Sequence, residues 1–229
     1  MTICNIERTK PMVIENYKLT KLQITEALYW MILGDGSIEV KLRGNYCLSV
    51  SHESSHEDYL YWKASIIDQV TSWSINPQHM NASNLTKDHN MLRLRSSAHP
   101  WFTKVYDRIY APLGRKSIDP HALKLLSPLG LAILYQDDGS YHYSVNAGHN
   151  ILIHKLCFSK FELEALAKEI VDKFGIIFRI NEDKNKGFGY RLRMRASDKE
   201  RFFTLIDPYI VPSMLYKVGK GSTSSEVVI

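Results

Sequence analysis

The stretch Leu28-Tyr29-Trp30-Met31-Ile32-Leu33-Gly34-Asp35-Gly36 decides how the rest of the chain is read, because it has a counterpart in Leu131-Ala132-Ile133-Leu134-Tyr135-Gln136-Asp137-Asp138-Gly139. A serine follows each, Ser37 or Ser140, and the segments beyond match as well. Ile38, Val40 and Leu42 alternate with other residues as Tyr141, Tyr143 and Val145 do, the period-2 pattern of a strand. Further along, Leu92-Arg93-Leu94-Arg95-Ser96-Ser97 returns 100 residues later as Leu192-Arg193-Met194-Arg195-Ala196-Ser197. Both pairs keep their order, so the chain reads as two copies of one unit.

In the first copy, residues 25–33 are apolar nearly all round, which predicts a buried helix punctuated by Gly34 and Gly36. Alternating segments at 37–43 and 45–51, parted by Gly44, predict a hairpin. Helical spacing of Tyr59, Leu60, Ala64, Ile67 and Val70 predicts a helix over 56–71, followed by strands at 75–80 and 91–96 and a helix over 101–110. The second copy repeats the series: helix 129–137, strands 140–145 and 150–158, helix 161–174, strands 176–181 and 190–196, helix 197–206. Ser159 or Lys160 caps the helix at 161, and Glu162 and Glu164 suit its first turn. Residues 111–128, with Pro112, Gly114, Pro120 and Pro128, read as a linker. The expected organisation is an arm at 1–18, a half at 19–110, the linker, and a half at 129–229. Its class is α+β, with two pseudo-symmetric αββαββα halves.

Composition narrows the function. At 229 residues, 45% hydrophobic and 23% charged, the chain is globular rather than fibrous or disordered. No run approaches the roughly 18 apolar residues of a membrane span, and Glu7, Arg8 and Lys10 stand where a leader would be apolar. The expectation is a soluble intracellular protein: cytoplasmic or nucleoid if bacterial, organellar if eukaryotic. Cys4, Cys47 and Cys157 are odd in number and widely spaced, which supports neither a disulfide framework nor a cysteine zinc site. The net charge of +5 favours polyanionic partners. Up to Ser127 there are 15 basic against 12 acidic residues and beyond it 14 against 12, so the charge is shared by both copies.

Alternation sorts the strand faces. Arg93 and Arg95, then Arg191, Arg193 and Arg195, fall opposite Leu92, Leu94, Leu192 and Met194, and Glu39, Lys41 and Arg43 fall opposite Ile38, Val40 and Leu42. A solvated sheet face would account for one such strand. Repeated in both copies, the pattern fits an antiparallel ribbon in the major groove, where arginine reads guanine and Asn or Gln reads adenine. Asn76, Gln78, Arg179 and Asn181 add such groups, and Ser140 and His142 share that face. Asp35 and Asp138 each end a helix, where the dipole favours cations. Asp-Gly-Ser alone reads as a tight turn. Two apolar helices with no solvent face, however, bury best against each other, which brings the two carboxylates together and calls for a divalent metal.

On these residues the chain resembles the LAGLIDADG homing endonucleases of the single-chain, two-motif type. Both nonamers keep the apolar body and the closing Asp-Gly; Trp30 and Ile133 replace the motif glycine, and Leu33 and Gln136 its first aspartate. The resemblance implies saddle-shaped halves joined by a two-helix interface, with antiparallel sheets facing the DNA. It implies that Asp35 and Asp138, with the backbone at Gly34 and Asp137, bind Mg²⁺, for which Mn²⁺ can substitute. It further implies basic residues beside the site: Lys116 and Lys217 lie 81 and 79 residues after their aspartates. The expected activity is double-strand cleavage of a long asymmetric DNA target by a monomer. The alternatives are an intron RNA maturase and a noncatalytic nucleic-acid-binding protein of the same fold. His52 and His56 are four apart, lack the Glu and third ligand of a zinc hydrolase motif, and read as the start of a solvated helix. No phosphate loop of the GxxxxGK[ST] type is present.

Overall fold

A computed structural model describes residues 18–40, 46–80, 89–146, 148–182 and 189–220. Lys41, Arg43 and the arm before residue 18 lie outside the described residues. The first half runs α1 (Lys21–Leu33), β1 (Ser37–Val40), β2 (Tyr46–Glu53), α2 (Glu57–Asp68), β3 (Trp73–Met80), β4 (His89–Ser96) and α3 (Pro100–Ile109). A short α4 (Pro120–Leu125) precedes the second half: α5 (Pro128–Asp138), β5 (Gly139–Ser144), β6 (Gly148–Leu156), α6 (Lys160–Phe174), β7 (Phe178–Glu182), β8 (Tyr190–Met194) and α7 (Lys199–Ile206). Each half carries one four-stranded antiparallel sheet, ordered β1-β2-β4-β3 in the first and β5-β6-β8-β7 in the second. No helix among the described residues is long and apolar enough to cross a membrane.

Local chemistry sets the boundaries. α1 begins at Lys21 rather than residue 25, because Thr20 and Gln23 form a reciprocal capping box. Ser159 and Glu162 do the same for α6, which settles its cap on Ser159. The linker is more ordered than its prolines imply: Asp119 caps α4, and Pro120 occupies the first helical turn, where its missing N–H costs nothing. The expected strand over 190–196 stops at Met194, and Arg195 instead precedes a 3₁₀ turn, its N–H bonded to the Ile177 carbonyl at 2.9 Å.

α1 and α5 pack against each other at the centre, and residues Ala27 to Leu33 and Leu129 to Gln136 are buried. An all-round apolar helix is stable only with neighbours on every side, which the partner helix and the two flanking halves provide. Bulky Trp30, where the motif has glycine, is accommodated from the other helix: a Cβ on Gly130 would stand 2.3 Å from Trp30 Cδ1. At the opposite end a Cβ on Gly34 would meet Asp137 Oδ2 at 2.3 Å. A glycine at each end, one per helix, therefore leaves room for a side chain of the other helix.

The same contacts carry charge. Buried Glu26 of α1 accepts from Ser127 N at 2.6 Å, Ser127 Oγ at 2.7 Å and Gly130 N at 3.0 Å, so it caps the start of α5. Those N–H groups would otherwise be orphan donors at a positive helix end. Burial pushes the Glu26 carboxyl up despite these bonds.

Candidate functional site

Where α1 and α5 end, a cleft of about 860 Å³ opens between the sheets, lined by Asp35, Asp138, His52, His56, Arg93, Arg191, Tyr216 and Lys217 among others. Asp35 follows the Gly34 cap of α1, and Asp138 is the last residue of α5. Both carboxyls are raised, by burial first and then by neighbouring carboxylates. Burial pushes Asp138 up to about 8, aided by the charges of Asp35 and Asp137. Burial and then Asp137 likewise raise Asp35, against the pull of Lys63, Lys217 and Lys116. The Asp35 side chain is 40% exposed, but it sits at the floor of a protein-walled cleft rather than on open surface.

Lys116 and Lys217 form the symmetric pair their spacing implies. Lys116 Nζ donates to the Gly34 carbonyl at 2.7 Å, and Lys217 Nζ donates to the carbonyls of Gln136 at 2.5 Å and Asp137 at 3.2 Å. Each ammonium thus touches the main-chain oxygen just before an aspartate. Burial lowers both lysines, against the raising influence of the carboxylates.

Asp137 does more than offer a carbonyl. Its side chain is fully buried and reaches into the first half, where it accepts from Lys63 Nζ at 2.5 Å, Tyr59 Oη at 2.9 Å and Asp35 N at 3.2 Å. Burial alone would raise this carboxyl; Lys63 and then His52 outweigh it and hold it below the ordinary value. The ammonium also lies 4.3 Å from the centre of the Tyr59 ring, a cation–π contact. His52 is not at the start of a helix, as its spacing from His56 implies. It lies on β2, 7% exposed, accepting from Lys63 Nζ through Nε2 at 3.0 Å. Burial and the Lys63 charge lower His52 to about 3, so the ring is neutral near pH 7. With Nε2 accepting, the proton rests on Nδ1, which faces Asp35 Oδ2 at 3.8 Å. Asp35, His52 and Asp137 together present donor atoms within 4.8 Å of one another. His56 follows in a 3₁₀ turn and stacks on Tyr216 of the other half, with centroids 6.0 Å apart.

Lys63, Tyr59 and His52 escaped the sequence reading, although each left a trace. Lys63 interrupts the apolar stripe of Tyr59, Leu60 and Ile67, and His52 shares the inward face of β2 with Leu48 and Val50. A charge on an apolar stripe marks either an error or a partner. Gln136, where the motif has its first aspartate, is also buried: its amide donates to the Tyr209 carbonyl at 3.1 Å and accepts from Val211 N at 3.0 Å.

The polar residues gather on the sheet faces as alternation predicts. Asn76 pairs across from Arg93 and Gln78 from Met91; Arg179 pairs across from Arg193 and Asn181 from Arg191. Leu92, Leu94, Leu192 and Met194 are buried on the opposite face. Ser140 lies at the cleft end of β5, its Oγ 2.6 Å from His154 Nε2, and His142 is exposed further out. Val40, placed with the inward residues by alternation, is 58% exposed at the end of edge strand β1.

Known proteins share this arrangement. A family model for LAGLIDADG DNA endonucleases matches residues 25–202. The chain is 27% identical over 217 residues to Probable intron-encoded endonuclease 1 of Wickerhamomyces canadensis, covering 90% of each. It is 26% identical over 213 residues to cytochrome b mRNA maturase bI2 of Debaryomyces hansenii, covering 90% of this chain and 78% of the maturase. The homing endonuclease I-WcaI, solved bound to its DNA recognition sequence, superposes with a TM-score of 0.72 at 25% identity, covering 88% of both chains.

Proposed function

Because the chain belongs to the LAGLIDADG DNA endonuclease family, we propose that it is a homing endonuclease. It lays its two sheets along the major groove of a long asymmetric duplex and cuts both strands by metal-dependent hydrolysis. The observation that carries this reading is the pair Asp35 and Asp138, brought to one cleft by two packed helices and each raised by burial and by a neighbouring carboxylate.

The donor set fits Mg²⁺, with Mn²⁺ able to substitute: hard carboxylate and carbonyl oxygens. Asp35 and Asp138 would hold the ion, with the carbonyls of Gly34 and Asp137 as further oxygen ligands. A divalent cation bound there supplies Lewis-acid stabilisation of phosphoryl oxygens and a more acidic bound water. The chain's own residues do the rest. Lys116 and Lys217 fix the carbonyls before the aspartates and carry ammonium groups beside the scissile phosphates, where they steady developing negative charge. The Asp137 carboxylate, committed to Lys63, holds the Asp35 backbone instead of competing for the ion. Arg93, Arg95, Arg179, Arg191, Arg193 and Arg195, with Asn76, Gln78, Asn181, Ser140 and His142, form the base-reading and phosphate-binding surface.

One chain carries both acidic positions, so a monomer suffices and the two half-sites need not match. Its place of action is inside the cell, with the DNA it cuts. The test is plasmid cleavage with Mg²⁺ across a library of intron-insertion sequences. Wild type should make one discrete double-strand cut that Asp35→Asn and Asp138→Asn abolish while both still bind the site. Cleavage by both variants at the wild-type rate would remove the assignment. The likeness to a maturase favours intron RNA as a second ligand; retention of labelled intron RNA on a filter, competed by duplex DNA or not, separates the two uses.

A further inference from the structure

The two sheets differ in one acidic residue. On the first, Glu39 of β1 receives both arginines of β4: Arg93 Nη2 donates to Oε1, and Arg95 Nη2 donates to Oε2 at 2.6 Å. Arg93 Nε is also committed, to Ser49 Oγ at 2.8 Å. β2 lies between β1 and β4, so these side chains meet above it. They can do so because β2 presents only small residues there, Cys47 opposite Glu39 and Ser49 opposite Arg95. No such paired clamp is seen on Arg179 or Arg193 among the described residues of the second sheet. His142 stands where the first has Glu39, counting from the aspartates, and among the described residues Arg179 and Arg193 make no ion pair.

Resting on the nuclease reading above, we infer that Glu39 is a specificity-determining residue. It clamps Arg93 and Arg95 so that they read bases instead of swinging onto phosphates. The valences agree. With Nε and one Nη2 hydrogen of Arg93 engaged, the remaining N–H groups lie on Nη1 and the outer side of Nη2, the end-on pair that guanine O6 and N7 accept. An unclamped arginine on a groove-facing sheet binds the nearest phosphate, which adds affinity without sequence information. A clamped one has already lost its rotamer freedom and is aimed before DNA arrives. A carboxylate facing a polyanion must cost affinity, so its presence on this surface points to discrimination as the property it serves.

The signature is a split that a structural defect does not produce. Glu39→Ala and Glu39→Gln should bind random-sequence duplex more tightly than wild type. Their preference for guanine at the base pairs under Arg93 and Arg95 should fall from on the order of tenfold or more to less than threefold. The ion pairs are partly exposed, 24% at Glu39 and 35–40% at the arginines, so the melting temperature should hardly move. Arg193→Ala, on the unclamped sheet, serves as the contrast: it should lose preference at one base pair without gaining affinity for random DNA.

The measurement is competition binding of singly substituted duplexes, in buffer that does not support cleavage, with circular dichroism melts of each variant. If the Glu39 variants lose affinity for specific and random duplex in equal proportion, or keep the wild-type preference at every position, the inference is overturned while the nuclease reading stands. If wild type itself prefers no duplex, both fall together.

Discussion

Asp35 and Asp138 end equivalent helices, and what stands behind each is different. Behind Asp35 lies a buried charged network: Asp137 holds its N–H, Lys63 neutralises Asp137, and neutral His52 turns Nδ1 toward its carboxylate. On the Asp138 side lies an uncharged tie, Gln136 bridging the Tyr209 carbonyl and the Val211 N–H. The elements that match are a carboxylate and a lysine on the preceding carbonyl, the pair that the proposed two-strand chemistry would need twice. What stands behind them has diverged. Symmetry is kept at the atoms proposed to react and relaxed one layer behind them.

The largest expected effect tests the symmetric layer. Asp35→Asn and Asp138→Asn should each lower double-strand cleavage by on the order of 10³-fold or more, since several kcal/mol of charge stabilisation depend on the pair. Strand-resolved assays on end-labelled duplex show whether the halves are equivalent in fact: equal losses on both strands would make the site one shared centre, unequal losses two centres.

Next comes the layer that differs. Lys63→Met leaves the Asp137 carboxylate buried without its cation and should cost about 3–5 kcal/mol of stability. Gln136→Leu, which copies Leu33 of the first half, strands the Val211 N–H and should cost about 1–3 kcal/mol. Urea titrations of the two variants check the order, and equal costs would dissolve the contrast between a charged and an uncharged support.

A comparable magnitude applies on the sheets, where Arg193→Ala should cost about 1–3 kcal/mol at one base pair, read from binding to duplexes substituted at that pair. A separate check is with pH. Native Asp138 keeps its proton up to about 8, whereas the unfolded chain releases it near the ordinary aspartate value of 3.8. Between those values the native state binds more protons, so metal-free stability should fall as pH rises across that window and level off above it. Asp138→Asn should flatten that slope, and Mg²⁺ should reverse it in wild type; thermal melts at pH 5, 6.5 and 8 decide.

The sequence carried the architecture because the repeat carried it. Two apolar nonamers and two Leu-Arg-Leu-Arg type strands place the helix interface, both sheets and the arginine faces before any coordinate is seen. The candidate site was legible where it is duplicated: Asp35 and Asp138, singled out because both copies carry them, share one cleft, and Lys116 and Lys217 each reach the carbonyl before an aspartate. It was hidden where one copy acts alone. Lys63 and Asp137 lie 74 residues apart, and their meeting depends on how closely two helices cross. Glu39 was visible on the polar face, but its grip on two arginines depends on the small size of Cys47 and Ser49, which alternation does not weigh.

The helix pair has a consequence for any attempt to recombine halves from different relatives. Glu26 of α1 caps the start of α5, while Asp137 of α5 holds the end of α1; Trp30 needs Gly130, and Asp137 needs Gly34. Every one of these contacts is contributed jointly. A crossover placed in the connecting segment would hand one parent the glycine and the other the side chain that fills it, at both ends at once. The inheritable module is therefore the crossed pair of helices, and a working hybrid must import α1 and α5 together or rebuild Glu26, Trp30, Gly34, Gly130 and Asp137 in concert.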